Sequence, residues 1–166
     1  MADYWYEATE ILKVLVQKAK GQDENGMDLR LTTGTIKLDN EDNFGKFIKS
    51  MDAARPNTGS RERAHTDLRD SLGHIFHEYT QKLRRRIPVK NTVIIILTDG
   101  IWAGMENKME VGDTIRTFIT ELRENHGYHH MHRPFTFQFV QFGDDIGASE
   151  RLRDLDDLHK TFFGMP

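Results

Sequence analysis

Apolar residues recur along this chain with two different periods. Over residues 3–20, Trp5, Ala8, Leu12, Leu15 and Ala19 return every three or four positions, which places them on one face of a helix. Asp3 is positioned to cap that helix, and Gly21 ends it. "DENG" (23–26) is turn chemistry, because Asn and Gly tolerate positive φ. The period then falls to two. Met27, Leu29 and Leu31 alternate through 27–32, and "TIKL" (35–38) alternates again after Gly34, which predicts a hairpin with a polar second strand at a sheet edge. Residues 42–51 return to the helical spacing through Phe44, Phe47, Ile48 and Met51.

Residues 52–65 form a long polar loop, of a length that is often functional. A long helix over 66–85 carries Leu68, Leu72, Ile75, Phe76, Tyr79 and Leu83 as its stripe. Arg84, Arg85 and Arg86 fall in its last turn, where cations suit the helix dipole, and Pro88 stops it. "VIIILTDG" (93–100) does not alternate, so the strand over 92–98 reads as one covered on both faces. A helix over 110–125 follows, through Val111, Ile115, Phe118, Ile119 and Leu122; then a strand over 135–142 and a helix over 149–159 with Leu152, Leu155 and Leu158 buried. The order α-β-β-α-α-β-α-β-α, with late strands and helices alternating, predicts an α/β fold with a doubly wound, mostly parallel sheet. Ligands of such sheets bind beyond the carboxyl ends of the strands, and Asp99 stands at one of those ends.

Composition narrows the function. The apolar fraction of 37% is enough for a packed core, and a net charge of −3 gives no reason to expect nucleic acid or an anionic membrane as partner. Cysteine is absent, so disulfide and thiolate chemistry are excluded. No stretch reads as a secretory leader or a transmembrane span, so a cytoplasmic protein is expected. No Gly-rich phosphate loop and no nucleophile–base pair is evident, which argues against an enzyme.

The pieces "DENGMDLRL" (23–31), "HTDL" (65–68), "IIILTDG" (94–100), "FQFVQFGDD" (137–145) and "RLRDLDDL" (151–158), in this order and spacing, resemble the von Willebrand factor A-type domain, particularly its intracellular fungal versions. The resemblance spans nearly the whole chain, 1–166, as a single domain. It implies a Rossmann-like sheet with helices on both faces and a metal-ion-dependent adhesion site on top. Motif position matches Thr66 to the threonine of that site and Asp99 to its aspartate. The Asp-x-Ser-x-Ser loop and the central strand before it have no counterpart ahead of the first helix, and the last strand is also missing, so the chain reads as truncated at both ends. One Asp and one Thr are a sparse set for Mg²⁺, which favours octahedral oxygen coordination, so weak or absent metal binding is expected. Loss of a central strand leaves three remedies: direct pairing of 27–32 with 92–98, a strand donated by another chain, or association of two copies. Direct pairing or self-association is the expectation.

Several other features carry competing readings. Asp99 is a ligand or a turn residue before Gly100; Thr66 is a ligand, a helix cap or both; Asp67 reads as a first-turn acid. His126, His129, His130 and His132 read as a solvated loop rather than a metal site, and Arg84–Arg86 as a solvated helix end. Trp5, with Tyr4 and Tyr6, is core or contact surface. His77-Glu78 starts a zinc-protease pattern, but Gln81 replaces the second histidine. Around "DENG" a calcium loop would need acids at Gly21 and Thr32. The leading expectation is a non-enzymatic module that binds a protein partner at the top face, assisted by a divalent cation through Asp99 and Thr66. The alternative is a Mg²⁺-dependent α/β hydrolase or phosphatase with Asp99 as nucleophile. Ile101 stands where such enzymes need a second acid.

Overall fold

The computed structural model of the chain describes residues 1–22, 24–32, 36–56, 67–102, 107, 109–126 and 134–163, without the side chains of 125, 126 and 158–163. The chain divides into two compact units, Met1–Thr66 and Asp67–Pro166.

In the first unit a 3₁₀ turn over Ala2–Tyr4 leads into helix α1, Trp5–Ala19. Asp3 therefore does not cap α1: it lies inside the 3₁₀ turn, and Tyr4 holds the cap position without a side-chain bond. The hairpin forms as expected, from β1 (Met27–Arg30) and β2 (Lys37–Glu41), paired antiparallel with Leu29 opposite Leu38. Gly26 is required there: its φ is +79°, and a Cβ would sit 2.7 Å from the Glu41 carbonyl oxygen. Helix α2, Phe44–Ala53, starts at Asn43, whose side chain accepts the Gly45 N–H. Phe47 and Met51 are buried, and the half-buried Trp5 indole donates to the Met51 carbonyl at 3.1 Å. That bond gives Trp5 a packing role between α1 and α2, while Tyr6 is exposed.

The second unit holds α3 (Leu68–Arg84), β3 (Thr92–Thr98), α4 (Glu110–His126), β4 (Phe135–Gln141) and α5 (Ile146–Phe163). Strands β3 and β4 pair in parallel through all seven positions, from Thr92 opposite Phe135 to Thr98 opposite Gln141. The fold is thus mixed α/β, and its described strands form one antiparallel and one parallel sheet of two strands each. Among the described residues the expected pairing of 27–32 with 92–98 is not among the strand pairs: β1 is bonded to β2, and β3 to β4.

One face of the parallel sheet is covered. Ile94, Ile96, Phe135, Phe137 and Phe139 meet Leu68, Leu72, Phe76 and Tyr79 of α3 and Val111, Ile115, Phe118 and Leu122 of α4. Aromatic rings fill the middle of this layer. Phe76 and Phe118 stack at 4.0 Å, and Phe135 meets Tyr79 and Phe118 edge-on at 4.6 and 4.8 Å. The continuous apolar run of β3 predicts cover on the other face too, yet among the described residues Val93 is 63% and Ile95 38% exposed there. A non-alternating run cannot distinguish a strand covered twice from one whose second face is left open.

Helix α3 ends as the arginines and proline suggest, with one refinement. The Ile87 N–H reaches the Lys82 carbonyl and the Arg86 N–H reaches Leu83, a Schellman closure with Arg86 at φ +58° in the position usually given to glycine. His126 ends α4, while His129, His130 and His132 lie outside the described residues, as do 57–66 of the polar loop. No helix among the described residues is long and apolar enough to cross a membrane.

Phe76 touches both helical and sheet components of the core. Phe76→Ala is expected to cost about 3–5 kcal/mol, read as a lowered urea midpoint with an unchanged m-value.

Candidate functional site

The connections place every helix start of the second unit at one end of its sheet. Helix α3 leads into β3, and α4 and α5 each leave from the carboxyl end of a strand. Each helix start is secured by its own polar side chain. Asp67 accepts the Asp70 N–H at 3.0 Å, so it is the N-cap of α3 rather than a first-turn acid. Asn107 accepts the Met109 N–H at 2.9 Å, while Glu110 reaches back to the Asn107 N–H at 3.0 Å, a capping box at α4. Asp145 accepts the Ala148 N–H at 2.7 Å and starts α5 at Ile146, ahead of the expected Ser149. Gly147 in that first turn hid the helix, since glycine reads as a breaker.

Arg69 joins two of these starts. Its guanidinium lies 3.0 Å from Asp67, 3.3 Å from Asp70 and 3.2 Å from Glu110. The Asp67 carboxylate, then Asp70 and Glu110, raises the Arg69 pKa above its ordinary value. Between α3 and α4 a groove of about 440 Å³ runs away from this end, lined by Arg69, Gly73, His77, Arg84, Asp113 and Glu121. Its far end is tied by an Arg84–Glu121 ion pair at 3.0 Å.

Asp99 is different from these capping acids. It follows β3 directly and is buried, with only 9% of its surface exposed. Its Oδ1 accepts the Ile101 N–H at 3.1 Å, closing an Asx turn on the loop rather than a helix. The residues around it form a clamp. Thr98 Oγ1, itself buried, accepts the Gly100 N–H at 2.9 Å and the Trp102 indole N–H at 3.1 Å. The Arg151 guanidinium donates from Nε and Nη2 to the Gly100 carbonyl at 3.1 and 2.6 Å, and lies 5.9 Å above the Trp102 ring. Gly100 has φ +71°, and a Cβ there would come within 2.5 Å of the Ala148 Cβ. Ala148 is fully buried, so the loop after β3 and the first turn of α5 touch through two small residues.

Of the two residues expected in a metal site, Asp99 is where the sequence puts it, at the strand's carboxyl end; Thr66 lies outside the described residues, one position before the α3 cap. Among the described residues no group of three or more His, Asp or Glu side chains converges in a way that could hold a metal ion. Sequence reasoning did not single out Thr98, Trp102, Ala148 or Arg151. The signal for the α4 cap was present in Asn107 and Glu110 at capping-box spacing, and the signal for the α5 contact was the Gly147–Ala148 pair of small residues.

Compared with known proteins, the chain matches no family model, no curated protein and no solved structure.

The Gly100–Ala148 contact yields a direct test. Gly100→Ala adds left-handed strain and a clash against a buried neighbour, so stability is expected to fall by about 2–4 kcal/mol. Trp102 emission should shift at the same time, because Thr98 and Arg151 hold the indole through this loop.

Proposed function

We propose that this chain is a non-enzymatic protein–protein interaction module of the von Willebrand factor A type, acting in the cytoplasm. On this reading β3 and β4 belong to a Rossmann-like sheet, and residues 1–166 form one such domain. The partner is bound at the carboxyl end of β3. One observation carries the proposal: a buried carboxylate, Asp99, follows a parallel strand and is fixed by the Asx turn and by the Thr98–Trp102–Arg151 clamp around Gly100. The capping acids stand at the chain's own helix starts, whereas Asp99 directly follows a strand. An acid held so firmly at a sheet's carboxyl end has more rigidity than a loop needs for chain reversal alone, and ligands of α/β sheets bind at such ends.

A divalent cation is a weak adjunct in this proposal. Mg²⁺ favours six oxygens at short distance, and Asp99 already gives one carboxylate oxygen to the Ile101 N–H. Thr66, just before the α3 cap, is the second oxygen proposed. When bound, Mg²⁺ would offer an open coordination position to an acidic group of the partner. Asp99 and Thr66 would hold it, with water supplying most of the remaining ligands.

Asp99→Ala is expected to abolish any Mg²⁺-induced rise in Tm and to weaken a partner captured by the wild-type chain about tenfold or more, the size of a lost charge-assisted contact. Absence of a Mg²⁺ shift in the wild type, together with unchanged partner binding by the variant, would refute the rim as the binding surface. A generic phosphate monoester incubated with the chain and Mg²⁺ should stay intact. Hydrolysis that disappears in Asp99→Ala would favour the phosphatase reading instead.

A further inference from the structure

Among the described residues β3 is bonded to β4 alone, and the composition of its other edge is unusual. Residues 92–98 contain no charge, no proline and no glycine, the devices by which exposed sheet edges normally avoid pairing. The main chain shows which residues occupy that edge. The Thr92 N–H donates to the Pro134 carbonyl at 2.7 Å, and the Phe142 N–H donates to the Thr98 carbonyl at 2.9 Å. Even-numbered residues of β3 thus direct their polar groups toward β4. Because these groups alternate along a strand, Val93, Ile95 and Leu97 direct theirs the opposite way. The same three residues carry their side chains on the uncovered face, where Val93 is 63% and Ile95 38% exposed. The main-chain groups that β4 does not engage and the exposed apolar side chains therefore belong to the same residues. On β4 the same face carries Thr136, Gln138 and Val140 and is more polar.

The sequence of β3 says what fits this edge. Thr-Val-Ile-Ile-Ile-Leu-Thr is nearly the same read in either direction about Ile95. We propose that β3 pairs antiparallel with β3 of a second copy of this chain, across a twofold axis at Ile95, giving a four-stranded sheet with strand order β4-β3-β3-β4. In this register Thr92 meets Thr98, Val93 meets Leu97, Ile94 meets Ile96, and Ile95 meets itself. Each odd-numbered pair exchanges two main-chain hydrogen bonds, and all odd-numbered side chains stay on one face, as an isologous contact requires. A twofold axis normal to the sheet keeps α3 and α4 of both copies on the same face. This inference is independent of the proposed partner site, which lies at the strand's end rather than along its edge.

The full chain is expected to pass from monomer to dimer with rising concentration in sedimentation equilibrium. Ile95→Lys sets like charges against each other at the axis and should weaken the dimer about tenfold or more, with helical circular dichroism unchanged. Should that variant unfold, Val93→Lys, on a more exposed side chain, is expected to give the same monomer. The chain has no cysteine, so a single introduced thiol reports the register. Ile95→Cys should be linked to itself by a short bifunctional thiol reagent. Val93→Cys should not, yet should link to Leu97→Cys when the two variants are mixed. A monomer at every concentration, a dimer that survives both lysine substitutions, or self-linking of Val93→Cys as fast as of Ile95→Cys would each overturn the proposal.

Discussion

Parallel strands cannot be joined by a tight turn, so β3 and β4 need a crossover, and α4 supplies it. That constraint sets the geometry of the second unit. The crossover returns the chain to the amino end of the sheet, so α4 and α5 start at its carboxyl end, as α3 does. Main-chain carbonyls of the strands and amide groups of the helices then converge at one rim. The aromatic layer of Phe76, Phe118, Phe135 and Tyr79 holds helices to sheet, and the seven-residue register aligns the two strand ends at Thr98 and Gln141.

The rim collects acids for two separate physical reasons. Asp67, Glu110 and Asp145 satisfy helix amides that have no intrahelical partner, which is why the sequence places acids there. Asp99 satisfies a turn amide after a strand, and its neighbours make that turn rigid by means a turn alone does not need. Thr98 takes two donors on one hydroxyl, Arg151 clamps the Gly100 carbonyl, and Ala148 admits the loop only because Gly100 has no side chain. Rigidity of this kind lowers the entropy cost of binding at the loop, whatever the partner.

Much of this was legible in the sequence. Helical stripes such as Leu68-Leu72-Phe76-Tyr79 and the alternation of Met27 and Leu29 report local burial, and the corresponding elements formed within a few residues of their expected ends. What could not be read was long-range. A run such as Val93–Leu97 says that a strand is apolar, not which neighbour it has, and the parallel pairing with β4 was not read from it. Caps were misassigned by one position at Asp67, and at Asp3, where a 3₁₀ turn intervenes, because Asp serves equally in a first turn and at its cap. The clamp was illegible for another reason. Thr98, Gly100 and Trp102 are close in sequence, but Arg151 and Ala148 are some fifty positions away, and neither residue type announces a contact at that range.

Binding at this rim depends on its preorganisation, and amide hydrogen exchange reads that property residue by residue. Gly100, Ile101, Phe142 and Ala148 each donate an N–H to a rim acceptor: Thr98 Oγ1, Asp99 Oδ1, the Thr98 carbonyl and Asp145 Oδ1. In the full chain these amides are expected to exchange as slowly as those of Ile94 and Ile96 within β3. Exchange of all four at the rate of an unstructured loop, with β3 itself protected, would contradict it.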